Sequence, residues 1–137
     1  MSKYRIGLYS LMMVLFLAAC NNGNDDGTNN AEESLNKEAK RVELAENFIS
    51  LITEGDFEAA TEHFDETMSD ELPPEVLEEL WESFQNQFGS FLEQKYLRTE
   101  ATENYQVVFI QGLFEGTEAE FSITFDEELQ IAGFFVY

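Results

Sequence analysis

The chain has 137 residues, 44% of them apolar and 13 of them phenylalanine, with 28 acidic residues against seven basic ones. That length holds one small domain, and a formal charge of −21 leaves no basic surface to displace counterions from phosphates, which argues against nucleic acid as a partner. One cysteine, Cys20, and one histidine, His63, allow neither an intramolecular disulfide nor a structural zinc site.

At the amino terminus Lys3 and Arg5 are positive, Ile6 to Ala19 is an apolar run broken by Gly7 and Ser10, and small residues precede Cys20. This is the three-part pattern of a secretory signal. The run is too short for a permanent span, which needs about 20 apolar residues to cross a hydrocarbon core of about 30 Å. Leu17-Ala18-Ala19-Cys20 resembles the box of bacterial lipoprotein signals at all four positions. That resemblance implies cleavage between Ala19 and Cys20, a diacylglyceryl group on the Cys20 thiol and acylation of the new amino terminus. The chain is then expected outside the cytoplasm, on the outer leaflet of the cell membrane, in a Gram-positive rather than a Gram-negative envelope. Each buried methylene contributes about 0.8 kcal/mol, so one acyl chain holds marginally and two hold stably. An ordinary secreted protein with a chance cysteine is the alternative. Loss of residues 1–19 removes Lys3 and Arg5 and leaves a formal charge of −23, which anionic head groups repel and which equally serves solubility in a salty or alkaline habitat.

Residues 20–33 read as the lipidated cysteine followed by a flexible spacer, because Asn21 to Asn30 contains no apolar residue and cannot offset its ordering entropy. Asn22, Asn24, Asp26, Gly27 and Glu33 fall on a calcium-loop template, but Asn22 stands where Asp is required and no helix can precede it. The folded domain is expected over 34–137. Leu35, Val42, Ala45, Phe48, Ile49 and Ile52 recur at helical spacing, with Gly55 suited to the left-handed position after the helix. Asp56 then caps a short second helix carrying Phe57, Ala60 and Phe64. Met68 to Leu72 reads as irregular. Pro73 and Pro74 open a third helix, whose apolar stripe is Leu77, Leu80, Trp81, Phe84, Phe88 and Phe91.

Beyond Glu93 the period falls to two, which predicts strands over Gln94–Ala101, Tyr105–Phe114, Glu118–Phe125 and Gln130–Tyr137. A two-residue loop at Glu115-Gly116 sets Gly112 opposite Ala119, Ile110 opposite Phe121 and Val108 opposite Ile123, with the apolar side toward the helices. A three-residue loop at Glu127–Leu129 adds Ile131, Gly133, Phe135 and Tyr137 to that side. The fold class is α+β, three helices on one face of a curved four-stranded antiparallel sheet. The opposite face then carries Val107, Phe109, Leu113, Phe134 and Val136, a patch that asks for a cover: a second copy of the chain, the chain itself, or a ligand.

The run Phe48 to Phe64, then Leu72-Pro73-Pro74, Leu80-Trp81, Phe125-Asp126-Glu127 and Ile131-Ala132-Gly133 resembles the domain of unknown function family 3887, over Val42 to Val136. That family is similar to the nuclear transport factor 2-like class, so the resemblance implies a sheet and helices that form a cone able to hold a pocket. Members occur alone behind lipoprotein signals or fused ahead of α/β-hydrolase domains, and the G-x-S-x-G of such a hydrolase is missing from this chain. Leu129 departs from the turn glycine expected in the last hairpin.

Trp81, Phe84, Phe88, Tyr105 and Phe121 are the residues expected to line the core or a pocket within it. No catalytic residue, metal site or cofactor is expected. His63 has only its sequence neighbours Glu62 and Asp65 to orient it, which point elsewhere, and Glu120 or Asp126 beside Tyr96 or Tyr105 is the one pairing that buried-acid chemistry offers. The expected function is a lipid-anchored extracytoplasmic binding or interaction module, with a protein partner, a homodimer or an unknown small molecule as its ligand. A small-molecule isomerase or dehydratase and a purely structural dimerising envelope protein are the alternatives.

Overall fold

The computed structural model describes residues 26–137, with side chains from residue 30 onward. The order is α1 (Asp26–Glu54), α2 (Phe57–Ala60), α3 (Glu66–Glu71), α4 (Pro74–Phe88), β1 (Phe91–Ala101), β2 (Gln106–Phe114), β3 (Glu118–Phe125) and β4 (Ile131–Val136). Among the described residues this is an α+β fold with four helices rather than the three expected.

Helix α1 begins at Asp26, so residues 26–33 belong to a helix and not to the expected spacer. Residues 30–40 are exposed all round, and burial starts only at Leu44. Gly55, at φ +82°, closes α1 through bonds from its own amide to the Ile52 carbonyl at 3.1 Å and from the Asp56 amide to the Leu51 carbonyl at 2.9 Å, the paired arrangement that satisfies terminal carbonyls. Asp56 then accepts from the Ala59 amide at the start of α2. The stretch expected to be irregular contains α3, because the Asp65 carboxylate accepts from the Met68 amide at 2.7 Å, and Met68 is buried.

Gly89, at φ +88°, ends α4. Phe91 therefore leaves the helical stripe and is the first residue of β1. Its ring still reaches Trp81, at 5.7 Å between centroids.

The sheet is an antiparallel meander in the order β1-β2-β3-β4. Gly112 pairs with Ala119, Ile110 with Phe121 and Val108 with Ile123, as the two-residue loop requires, and the Phe114 amide donates to the Thr117 carbonyl at 2.8 Å. The three-residue loop at Glu127–Leu129 also forms. Its Asp126 carboxylate accepts from the amides of Glu128 and Gln130, and Leu129 takes φ +66°.

Strand β4 departs from simple alternation. The pairing shifts by one residue between Phe125 opposite Ile131 and Thr124 opposite Gly133, so Ala132 is the extra residue of a bulge. Every side chain after it changes face. Phe134, opposite Ile123, and Val136, opposite Phe121, therefore turn inward, while Phe135 and Tyr137 are 59% and 74% exposed. Two further bulges in β1 leave their extra residues, Leu92 and Leu97, on the surface.

Helices α1 and α4 share one face of the sheet. Phe48 of α1 lies edge-on to Phe134 at 5.1 Å, Trp81 of α4 lies 6.3 Å from Phe121, and Phe121 lies 6.0 Å from Phe134. Phe48, Phe114, Phe121 and Phe125 are almost fully buried, each worth about 1.5–3 kcal/mol in removed apolar surface. Among the described residues no helix is long and apolar enough to cross a membrane.

Candidate functional site

Three regions bear on function, and the first is the interior expected to hold a pocket. Trp81 and Phe121 are buried there, and Phe84 and Phe88 pack against them from α4. The rings of Phe84, Phe91, Phe114 and Phe121 surround Trp81 at 5.7–6.4 Å. Helical spacing puts Leu77, Trp81, Phe84 and Phe88 on one side of α4, and Gly112 leaves room for the Phe121 ring over the backbone of β2. The buried cluster is apolar throughout. Trp81 Nε1 has no hydrogen-bond partner among the described residues. Tyr105 is not part of this group: it stands at the β1–β2 turn, 45% exposed, because the turn over Glu103-Asn104 closes just before it, with the Thr102 amide on the Tyr105 carbonyl at 2.9 Å.

The second region is the outer face of the sheet. Val107, Phe109 and Leu113 lie there, half-buried, whereas the expected companions Phe134 and Val136 belong to the inner face because of the Ala132 bulge. The chain covers part of this face itself. The Arg98 guanidinium sits 3.8 Å over the Phe109 ring, a favourable cation–π placement. Arg98 is held there by two bonds of 3.1 Å to the Glu120 carboxylate and one of 2.7 Å to Glu100. These bonds, Glu120 first and Glu100 second, raise its pKa beyond the ordinary arginine value. Phe135 and Tyr137 remain uncovered beside it.

The third region was not singled out by sequence. Where α1 passes the β1–β2 turn, a recess of about 360 Å³ is lined by Lys37, Arg41, Thr102, Asn104, Tyr105 and Gln106, with Glu103, Asp126 and Glu127 from the two turns. A neighbouring recess of about 320 Å³ shares Lys37, Arg41 and Gln106. Its signal in the sequence is the grouping of Lys37, Lys40 and Arg41 within five residues of an otherwise acidic chain.

Of the residues weighed for acid–base chemistry, only Asp126 and Tyr105 come together, both in the lining of the open recess. Glu120 is on the outer face with Arg98, Asp126 is bound to turn amides, and the Tyr96 hydroxyl meets Thr99 at 3.0 Å. His63 is exposed and contributes its main chain: its carbonyl accepts from the Ile131 amide at 2.6 Å, and the Asp65 amide donates to the Ile131 carbonyl at 3.0 Å. Cys20 and the stretch expected to be a signal, residues 1–19, lie outside the described residues.

These features define a small α+β domain with a filled apolar interior and polar recesses at one end of its sheet. The chain matches the family model described as Protein of unknown function (DUF3887) over residues 45–134, and it belongs to that family. No curated protein and no solved structure matches it.

Proposed function

We propose that this chain is a lipid-anchored extracytoplasmic module that binds rather than catalyses, built on a nuclear transport factor 2-like cone whose interior is occupied by its own side chains. The observation that carries the reading is the filled interior: Phe48, Phe114, Phe121 and Phe125 are at most 2% exposed, and the recesses open at the surface near polar and charged groups. Catalysis by a buried carboxylate needs an acid held in an apolar pocket, and the acids weighed for that role are engaged on the surface. The Leu17-Ala18-Ala19-Cys20 box supports the anchor, and the polar start of α1 supports a stalk between membrane and domain. An α-helix rises about 1.5 Å per residue, so residues 26–40 would hold the domain about 20 Å from its attachment.

A second reading, a homodimer through the outer sheet face, is favoured by Phe135 and Tyr137, 59% and 74% exposed beside Phe109. Fractionation of expressing cells tests the first. Wild type should remain with membranes and carry acyl mass on Cys20, and Cys20→Ala should carry no acyl mass and keep residues 1–19. A mature wild-type mass without added acyl weight overturns the anchored reading.

A further inference from the structure

In a chain with 28 acidic and seven basic residues, an arginine is expected to find a carboxylate, since that pairing is among the strongest available to it. Three of the cations on the described surface do so: Lys37 with Glu33 at 3.6 Å, Lys40 with Glu43 at 3.0 Å, and Arg98 with Glu100 and Glu120. Arg41 does not. Its helix neighbours four residues away are Lys37 and Ala45, and Glu38, three residues before it, does not pair with it. It makes no ion pair among the described residues, and its Nε is sealed from solvent without an acceptor.

Across the recess stand Glu103, Asp126 and Glu127. Asp126 is engaged by the turn amides. The Glu103 and Glu127 carboxylates make no hydrogen bond or ion pair among the described residues. Opposite charges thus line two walls of a space of about 360 Å³ without closing it. A simple anion gains from Arg41 but meets three carboxylates and a formal chain charge of −21. A simple cation gains from the carboxylates but meets Arg41 and Lys37. A ligand that carries both charges satisfies both walls.

We infer that this recess binds a small zwitterion of the amino-acid type, its carboxylate on Arg41 and Lys37 and its ammonium group at Glu103 and Glu127. A carboxylate takes a guanidinium through two parallel N–H bonds, which gives Arg41 Nε an acceptor after a turn of the side chain. Asn104 and Gln106 supply neutral donors and acceptors for the remainder. The inference rests on the reading of the chain as a binding module, and it is independent of the anchor: acylation can be absent while the recess binds, and the reverse.

The test is titration of the isotope-labelled full chain, in detergent micelles, with the standard amino acids one at a time, read by amide chemical shifts. At least one should give saturable shifts at Arg41, Asn104 and Gln106. Its N-acetylated and its carboxamide forms should each bind about tenfold more weakly or worse, a difference of about 1.4 kcal/mol. Arg41→Gln should weaken binding by the same factor or more with an unchanged melting curve, while Lys95→Gln, on β1, binds as wild type. No saturable shift with any amino acid overturns the inference. So does equal binding of either blocked form, which would make the recess a plain anion or cation site.

Discussion

Gly112→Ala tests whether the inner face is packed as tightly as its rings suggest. A β-carbon built on Gly112 lies 2.3 Å from Cε2 and 2.9 Å from Cζ of Phe121, well inside van der Waals contact, so one of the two must move. The backbone at Gly112 is held by pairing to Ala119, and the Phe121 ring is boxed by Trp81 at 6.3 Å, Phe114 at 6.2 Å and Phe134 at 6.0 Å. Overpacking in such a site costs about 2–3 kcal/mol. For a domain of this size that corresponds to a fall in melting temperature of about 8–24 °C. Urea denaturation followed by tryptophan fluorescence reports the change directly, because Trp81, the single tryptophan, touches the displaced ring. In a Phe121→Leu background the ring edge is gone, and the same Gly112→Ala change should cost less than half as much, a coupling that a double-mutant cycle isolates. A loss below about 0.5 kcal/mol for the single variant would refute the packing described for this face.

Two further outcomes follow from the turns and the outer sheet. Leu129 holds φ +66° and packs against the core, so Leu129→Ala and Leu129→Gly lose the same contacts, but only alanine keeps the left-handed strain; the glycine variant should be the more stable by about 1 kcal/mol in the same denaturation assay. Arg98 has a raised pKa, so its stabilising contribution is fully present below the ordinary arginine value and is lost only as pH rises through the still higher folded value; the stability difference between wild type and Arg98→Ala should stay constant from neutrality to about pH 11, and a difference that shrinks over that range would refute the clamp on Phe109.

The parts of the fold that were legible in the sequence are those fixed by local chemistry acting alone. Gly55 and Asp56 announce the end of one helix and the start of the next, and both do what their backbone and side chain allow. The Glu115-Gly116 loop sets the β2–β3 register, because a two-residue hairpin leaves one pairing open to its strands. The Asp65 cap of α3 was equally present in the sequence, but six residues are too few for a helical period to show. The start of α1 is silent for the opposite reason: residues 26–33 have no apolar face, and a helix that buries nothing leaves no pattern to read.

The outer face shows how a single residue outside the hairpin loop redirects a functional expectation. Alternation from Gln130 onward assigns Phe134 and Val136 to the exterior, and an uninterrupted β4 would have obeyed it. Ile131, however, bonds through both main-chain groups to the segment His63–Asp65, which joins α2 to α3 and meets Ile131 in an isolated parallel bridge. A strand held on one side by β3 and at its start by this segment accommodates both pairings by carrying one extra residue, Ala132, and the phase changes after it. That contact spans more than sixty residues of sequence and has no local signature. Its effect is to bring Phe134 against Phe48 and Phe121, where it completes the filled interior. It also leaves Phe135 and Tyr137 as the uncovered aromatics of the outer face. The same displacement therefore fills the space inside and leaves two aromatic rings exposed outside.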